Sequence, residues 1–507
     1  MGKAIKSIFD KYKTLFIILI LIGFLAHGFV FTNKLLNHDD VSSLFAKGAT
    51  FELGRWGLVV MEHILPNISM PWFNGVSSLI LLTISVCFIV DLLKIENKYS
   101  QILIGGIIIT FPAIISLFSY MFTSTSYAIS ILLSVATVKL FISKRKIVNV
   151  LGIIFFVFSI SIYQGYICIT LILLMILLMK DCVESDKSFK EFIFDILKYG
   201  IQIVISLGIY YILTKIINVI FKIDMYDYQG VKDMGNQSII GIIKGIKKSY
   251  KMVYYIFATS WNSIAVGFVM KLAYILSLLS SLILAIYTAI INLKKDIKKT
   301  LIYIAIFCLL PVAANILYII SPKVNIHTLM IYGNVIWFIL PIILYEWCDQ
   351  NKLKSYLKYI IYTASIVVIA EYIVLANEAY FRLYLTYENT YAFYNSLITR
   401  IETTEGFEKN TPIALVGKYE GELLADNSDH FEEVEELTGI LKNIELINAY
   451  SKEEFIKNYI GTDFEFIKED SIEKIKERKE FKDMNIYPYC DSIKKIDGTI
   501  VVKFSEK

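Results

Sequence analysis

The sequence predicts an all-α polytopic membrane protein with a small C-terminal α/β domain, and three observations predict it. Of 507 residues, 56% are hydrophobic and only 19% charged, an apolar excess that one soluble core of this size does not accommodate. Isoleucine and leucine run in stretches of about 17 to 25 residues, the length of helix that crosses a bilayer. Lysines gather in alternate connecting loops, as they do where a chain is threaded back and forth through a membrane.

The expected spans are Thr14–Phe31, Trp72–Leu93, Ile102–Phe118, Ser124–Phe141, Ile147–Tyr163, Tyr166–Met179, Ile193–Phe221, Val266–Ile291, Leu301–Ile320, Leu329–Tyr345 and Tyr359–Asn377. The first carries a basic start, Lys3, Lys6, Lys11 and Lys13, which also suits a signal peptide. "FLAHG" is a poor cleavage site, so a retained first helix is expected. Alternate loops hold Lys94 and Lys98; Lys144, Arg145 and Lys146; Lys294, Lys295, Lys298 and Lys299; and Lys352, Lys354 and Lys358. The turns between them, such as "LFSYMFT" and "YQGY", are nearly uncharged. The N-terminus is therefore expected inside and the segment after the last span outside.

This divides the chain into a membrane domain, 1–376, with exterior loops at 32–71 and 222–265, and an exterior domain, 377–507. The exterior domain has 27 acidic and 17 basic residues, net −10, against a chain total of +4. The membrane part is thus basic, and nothing supports nucleic-acid binding. "AYFRLYLTYENTYAFYNSLITRI" begins the tail as a tyrosine-rich helix expected to lie against the membrane surface. "TPIALVG" reads as a buried strand, and "SIKKIDGTIVVKF" as a hairpin turning at Asp497-Gly498. Of six cysteines only Cys490 lies in this domain, and no CxxC or Cys/His metal spacing occurs. No metal ligand and no cofactor is assigned, a divalent cation being left open.

The first exterior loop holds a compact charged group in "NHDDVSSLFAKGATFELGRWG". Asp40 reads as a helix N-cap with Gly48 as the stop, and Arg55 as a partner for Glu52. That account leaves Asp39 without a role. The chain has only five arginines and uses lysine for general surface charge. Arg55 near the outer face therefore suggests planar, bidentate binding of phosphate or carboxylate. In the second loop, "SIIGIIKGIKKSYKMVYYIF" places Lys244, Lys247, Lys248 and Lys251 on one helical face and Ile239, Ile242, Ile243 and Ile246 on another. Such lysines either snorkel to anionic lipid or cradle a lipid-linked phosphate. Sugar transfer from a lipid phosphate suits these parts. A carboxylate takes the acceptor's proton, and the cations stabilise charge growing on the phosphate.

"NHDD" after the first helix with "GRW" downstream resembles the Gtr-type bactoprenol-linked glucosyltransferases of GT-C architecture. "SIYQGY", "DYQG", "HTLMIYG" and "NIYPYCDSI" extend the resemblance over nearly the whole chain. It implies a multi-pass enzyme of the bacterial cytoplasmic membrane that moves a hexose, usually glucose. The donor would be undecaprenyl-phosphate-linked and the acceptor an envelope polysaccharide or teichoic acid, with a separate synthase and flippase supplying the lipid-linked sugar. Asp39 and Asp40 would be the catalytic acids, with Arg55 in the same site; which aspartate is the base stays open. His38, Trp56, Tyr163, Gln164, Asp227, Gln229 and His327 are the further substrate-binding candidates. Tyr163 and Gln164 also suit an ordinary interfacial turn, His327 a capping role, and Asp224 and Asp227 a solvated loop. A lipid-linked oligosaccharide flippase or polysaccharide transporter is the rival reading. It predicts internal repeats and buried midplane charges, whereas Asp91, Glu346 and Glu371 fall nearer span ends.

Overall fold

The computed structural model describes all residues except 1, 46–50, 67, 185–186, 227–229, 231–233, 236, 260–266, 322, 349–354, 422–430, 432–433, 435 and 507. The chain forms two compact units: Met1–Lys34, Lys47–Asn377 and Glu436–Thr438 make one, and Leu35–Ala46, Glu378–Glu435 and Gly439–Lys507 the other.

The first unit is helical. Its elements are α1 (Gly2–Thr32), then, after the short α2 (His38–Ser42) that belongs to the second unit, α3 (Trp56–Ile64), α4 (Pro71–Leu93), α5 (Lys98–Thr110) and α6 (Pro112–Ser119). There follow α7 (Met121–Phe141), α8 (Lys146–Ile162), α9 (Ile167–Glu184), α10 (Phe189–Phe221), α11 (Ile239–Ala258), α12 (Phe268–Leu293), α13 (Ile297–Ala314), α14 (Leu317–Ile320), α15 (Ile336–Trp347) and α16 (Ser355–Glu402), whose residues from Glu378 on belong to the second unit. Among the described residues eight helices are long and apolar enough to span a bilayer. The pair α5–α6, bent by 43°, makes a ninth, and Lys146–Ile162 and Tyr332–Trp347 are shorter apolar helices. Every expected span thus has a helical counterpart.

Local chemistry sets the ends. Pro71 opens α4 at a position whose N–H has no helical partner. Asn97 caps α5, Asp296 caps α13, and Ser188 with Glu191 forms a capping box on α10. The expected single span Ile102–Phe118 is broken because Pro112 lacks an N–H and drives Phe111 out of helical geometry. At the break the buried His27 Nε2 lies 3.0 Å from the Ile109 carbonyl, one of the acceptors a helix end leaves open. Leu301–Ile320 also divides, at Asn315, whose amide exchanges bonds of 3.1 and 2.9 Å with that of Asn334. Helix packing relies on small residues: a Cβ at Gly75 would run into the Phe31 ring, and one at Gly23 into Leu79.

Helix α10 shows the inversion that lipid imposes. Phe194, Ile201, Val204, Ile212 and Val219 are exposed, while Gln202, Ser206 and Thr214 are buried along the opposite seam.

In the second unit, β1 (Ile413–Val416) pairs parallel with β3 (Thr499–Lys503), and β2 (Ile493–Ile496) pairs antiparallel with β3. The expected hairpin is present: Asp497 and Gly498 both have positive φ, 46° and 80°, as a two-residue turn between right-twisted strands requires. Alternation sends Ile413, Leu415, Ile500 and Val502 to one core and Ala414, Val416 and Val501 to another. The tyrosine-rich helix differs from expectation. It continues α16 instead of lying on a membrane, and Tyr394, Leu397, Ile398 and Ile401 enter the first of these cores. Leu36 and Val41, from the turn after α1, are fully buried in the same core.

Candidate functional site

In the membrane unit, four distant segments meet around the "GRW" sequence. Gly54 has φ +69°, and a Cβ there would lie 2.7 Å from the Tyr210 hydroxyl. Glycine lets the chain turn in the left-handed region while Tyr210 donates to its carbonyl at 3.0 Å. Gln164, on the turn Gln164–Tyr166 between α8 and α9, donates to the Leu53 carbonyl at 2.8 Å and the Tyr210 hydroxyl at 2.9 Å. Trp56 opens α3 and its indole N–H reaches the Thr214 hydroxyl at 3.2 Å. These bonds fix the backbone on both sides of Arg55.

The Arg55 guanidinium lies over the Tyr163 ring, 5.1 Å from its centroid, a cation–π contact that holds the group in place. Tyr163 is itself wedged against Tyr127 and Tyr166, at 4.7 and 5.0 Å between centroids. His327 falls in the field of the same arginine. Burial, with the Arg55 charge adding to it, pushes its imidazole down to about 4, so it is neutral at physiological pH. Its side chain caps no helix, and its buried Nδ1 has no hydrogen-bond partner among the described residues. A fixed cation beside a neutral imidazole and an amide is suited to an anion that also offers hydroxyls.

The structure therefore brings together Arg55, Trp56, Tyr163, Gln164 and His327. The lysine stripe is on α11, where Lys244, Lys247, Lys248 and Lys251 are all exposed. Lys248 lies over Tyr318 and Lys251 over Tyr255, at 5.5 and 5.0 Å from the ring centroids. The helix packs through Gly245, Ser249, Met252 and Ile256, leaving Ile239 and Ile243 exposed. A helix with one seam on protein, one apolar face open and one row of cations has the pattern of an interfacial helix. Asp227 and Gln229 lie outside the described residues.

The acids lie in the second unit. Asn37, not Asp40, caps α2: its Oδ1 accepts the amides of Asp39 and Asp40, each at 2.9 Å. An N-cap accepts from the second and third residues after it, and the acids occupy those positions. Gly48, the expected stop, lies outside the described residues. The His38 Nε2 is 3.4 Å from the Asp39 carboxylate. The Tyr450 hydroxyl donates to that carboxylate at 2.6 Å. The Asp39 side chain is 39% exposed, whereas Asp40 is fully buried.

Sequence reasoning missed Tyr210, Thr214 and Tyr450. The first two had a readable signal, since Gln202, Ser206, Tyr210 and Thr214 recur every fourth residue in a largely apolar span. Tyr450 had none.

A family model described as Glucosyl transferase GtrII matches residues 28–338, more than half of the chain. The matched stretch includes the acids, the Arg55 group and the α11 lysines. Neither a curated protein nor a solved structure gives a match.

Proposed function

The chain belongs to the glucosyl transferase GtrII family, and from that premise we propose that it moves glucose from undecaprenyl-phosphate-glucose to an envelope polysaccharide or teichoic acid outside the bacterial cytoplasmic membrane. The observation that carries this reading is the convergence of Arg55, Tyr163, Gln164 and His327, drawn from three separate parts of the chain.

In the reaction the acceptor hydroxyl loses its proton to Asp39 or Asp40, and its oxygen forms the new bond to the anomeric carbon. The bond from that carbon to the phosphate oxygen breaks, and polyprenyl phosphate leaves with the electron pair. The leaving oxygen is stable as an anion, so it needs cationic stabilisation rather than a strong acid. Arg55 supplies that charge in a fixed geometry, and neutral His327 and Gln164 can bond sugar hydroxyls. The α11 lysines hold the donor phosphate at the membrane surface.

The direct test is transfer from polyprenyl-phosphate-glucose to envelope glycan purified from a deletion strain, using the purified full-length protein. Replacing Lys244, Lys247, Lys248 and Lys251 together by glutamine should raise the donor KM by at least about tenfold, with the acceptor KM unchanged. Equal donor dependence in parent and variant would leave the lysines a lipid-facing role only.

Orientation has its own test. Cys490 is exposed and, with the C-terminal unit outside, should react with a membrane-impermeant thiol reagent in intact cells. The signal should vanish in Cys490→Ser. Cysteines introduced at Lys146 or Lys295, in the same Cys490→Ser background, should label only after permeabilisation. The opposite pattern rejects the arrangement.

A further inference from the structure

The two aspartates are adjacent in sequence but have different surroundings. Asp40 is fully buried, and together with the larger effect of burial its charge pushes the Tyr459 hydroxyl up. An acceptor hydroxyl cannot reach it without displacing core. Asp39 is partly exposed, and one of its oxygens takes a short bond from Tyr450. The same phenol is 3.3 Å from the Ser42 hydroxyl, and its ring meets the His38 ring edge to face at 5.7 Å. One side chain therefore touches His38, Asp39 and Ser42, at both ends of α2. Burial and the Asp39 carboxylate push the Tyr450 hydroxyl up to about 12, so it remains a donor throughout the physiological range. A bond to one carboxylate oxygen fixes the rotation of the group, and the half-exposed side chain keeps its second oxygen for the acceptor's proton.

The packing supports the same assignment. Leu36 and Val41 bracket the acids and are buried in a core whose other members run from Tyr394 to Phe504. Apart from Leu36 and Val41, that core is built from residues beyond the family-matched stretch, which ends at 338. The acid turn is thus matched with the membrane helices in sequence but is folded by the C-terminal part of the chain.

We infer that Asp39 is the proton acceptor and that Tyr450 is its positioning residue. This rests on the reading of the protein as a polyprenyl-phosphate glucosyltransferase with a carboxylate base. The step is the one given above: the acceptor proton passes to the free Asp39 oxygen as the new glycosidic bond forms, and is later lost to water. Tyr450 keeps its own proton throughout.

The test is a double-mutant cycle in the full-length enzyme with polyprenyl-phosphate-glucose and purified envelope glycan. Hydrogen exchange at the amides of residues 38–43 is measured on the same proteins. Tyr450→Phe should lower kcat by about 10- to 100-fold with the donor KM within about twofold of the parent. It should cost nothing further in an Asp39→Asn background. Exchange across 38–43 should accelerate in Tyr450→Phe. Parental activity in Tyr450→Phe, with Asp39→Asn inactive, overturns the positioning role and leaves the base reading standing. An undiminished Tyr450→Phe penalty in the Asp39→Asn background places Tyr450 in some other function and likewise overturns it. An active Asp39→Asn enzyme overturns the base. A parent enzyme that transfers nothing overturns the functional reading itself, while exchange still reports whether Tyr450 holds the turn.

Discussion

Asparagine at position 39 is expected to reduce glucose transfer by about 10²- to 10⁴-fold while the protein inserts and accumulates normally. The substitution is close to isosteric, and the cap on α2 comes from the Asn37 side chain bonding backbone amides. The turn therefore keeps its fold. An amide oxygen still accepts the Tyr450 bond, so the rotation of the group is preserved as well. Only basicity is lost. Asp40→Asn changes a buried carboxylate instead, and its main readout is the thermal stability of the protein. Burying an amide in place of a charge alters partners within a packed core, with a cost or gain of about 1 to 3 kcal/mol. Activity assays and melting curves on both variants separate the two roles. Near-parental transfer by both Asp39→Asn and Asp40→Asn would remove the acid pair from the chemistry.

Arg55→Lys is expected to lower kcat/KM for the lipid-linked donor by roughly 10²-fold, an effect of about 2 to 3 kcal/mol. The replacement keeps a positive charge, so His327 remains neutral and the local field changes little. What it removes is the planar fork and the stacked position over Tyr163. Lysine is a hydrated point charge on a flexible stem and would need to be ordered at each turnover. Arg55→Gln loses the charge too, and with it one of the two influences depressing His327. Its imidazole should then titrate at a higher pH, measurable by NMR. Comparing the variants distinguishes geometry from charge. Equal donor kinetics for parent and Arg55→Lys would show that only a charge is needed there.

Several of these features were legible in the chain itself. A long apolar run has little choice in lipid, because unpaired backbone groups cost several kcal/mol each and helix formation satisfies them locally. The hairpin at Asp497-Gly498 is equally local, since two adjacent left-handed residues favour that pair over most others. Arg55 stood out by rarity, and "GRW" through the family resemblance. The tyrosines after Asn377 were misplaced because an amphipathic aromatic helix has the same pattern whether it meets headgroups or a protein core.

The sequence by itself determined the membrane class, the helical spans, the hairpin and most of the polar residues that meet around Arg55. The first three and Arg55 follow from a local rule: hydropathy over one span, backbone preference over one turn, or the scarcity of one residue type; the other polar residues were reached through the family resemblance. Only the tertiary structure decided that Asp39 is reachable while Asp40 is buried, and that Tyr450 bonds to a turn 411 positions earlier. Two adjacent aspartates have identical local signals, and they differ only in what the rest of the chain packs against them. That packing comes from Leu36 and Val41 joining a core formed by residues 394–504, and no periodicity records a contact made across so much intervening chain.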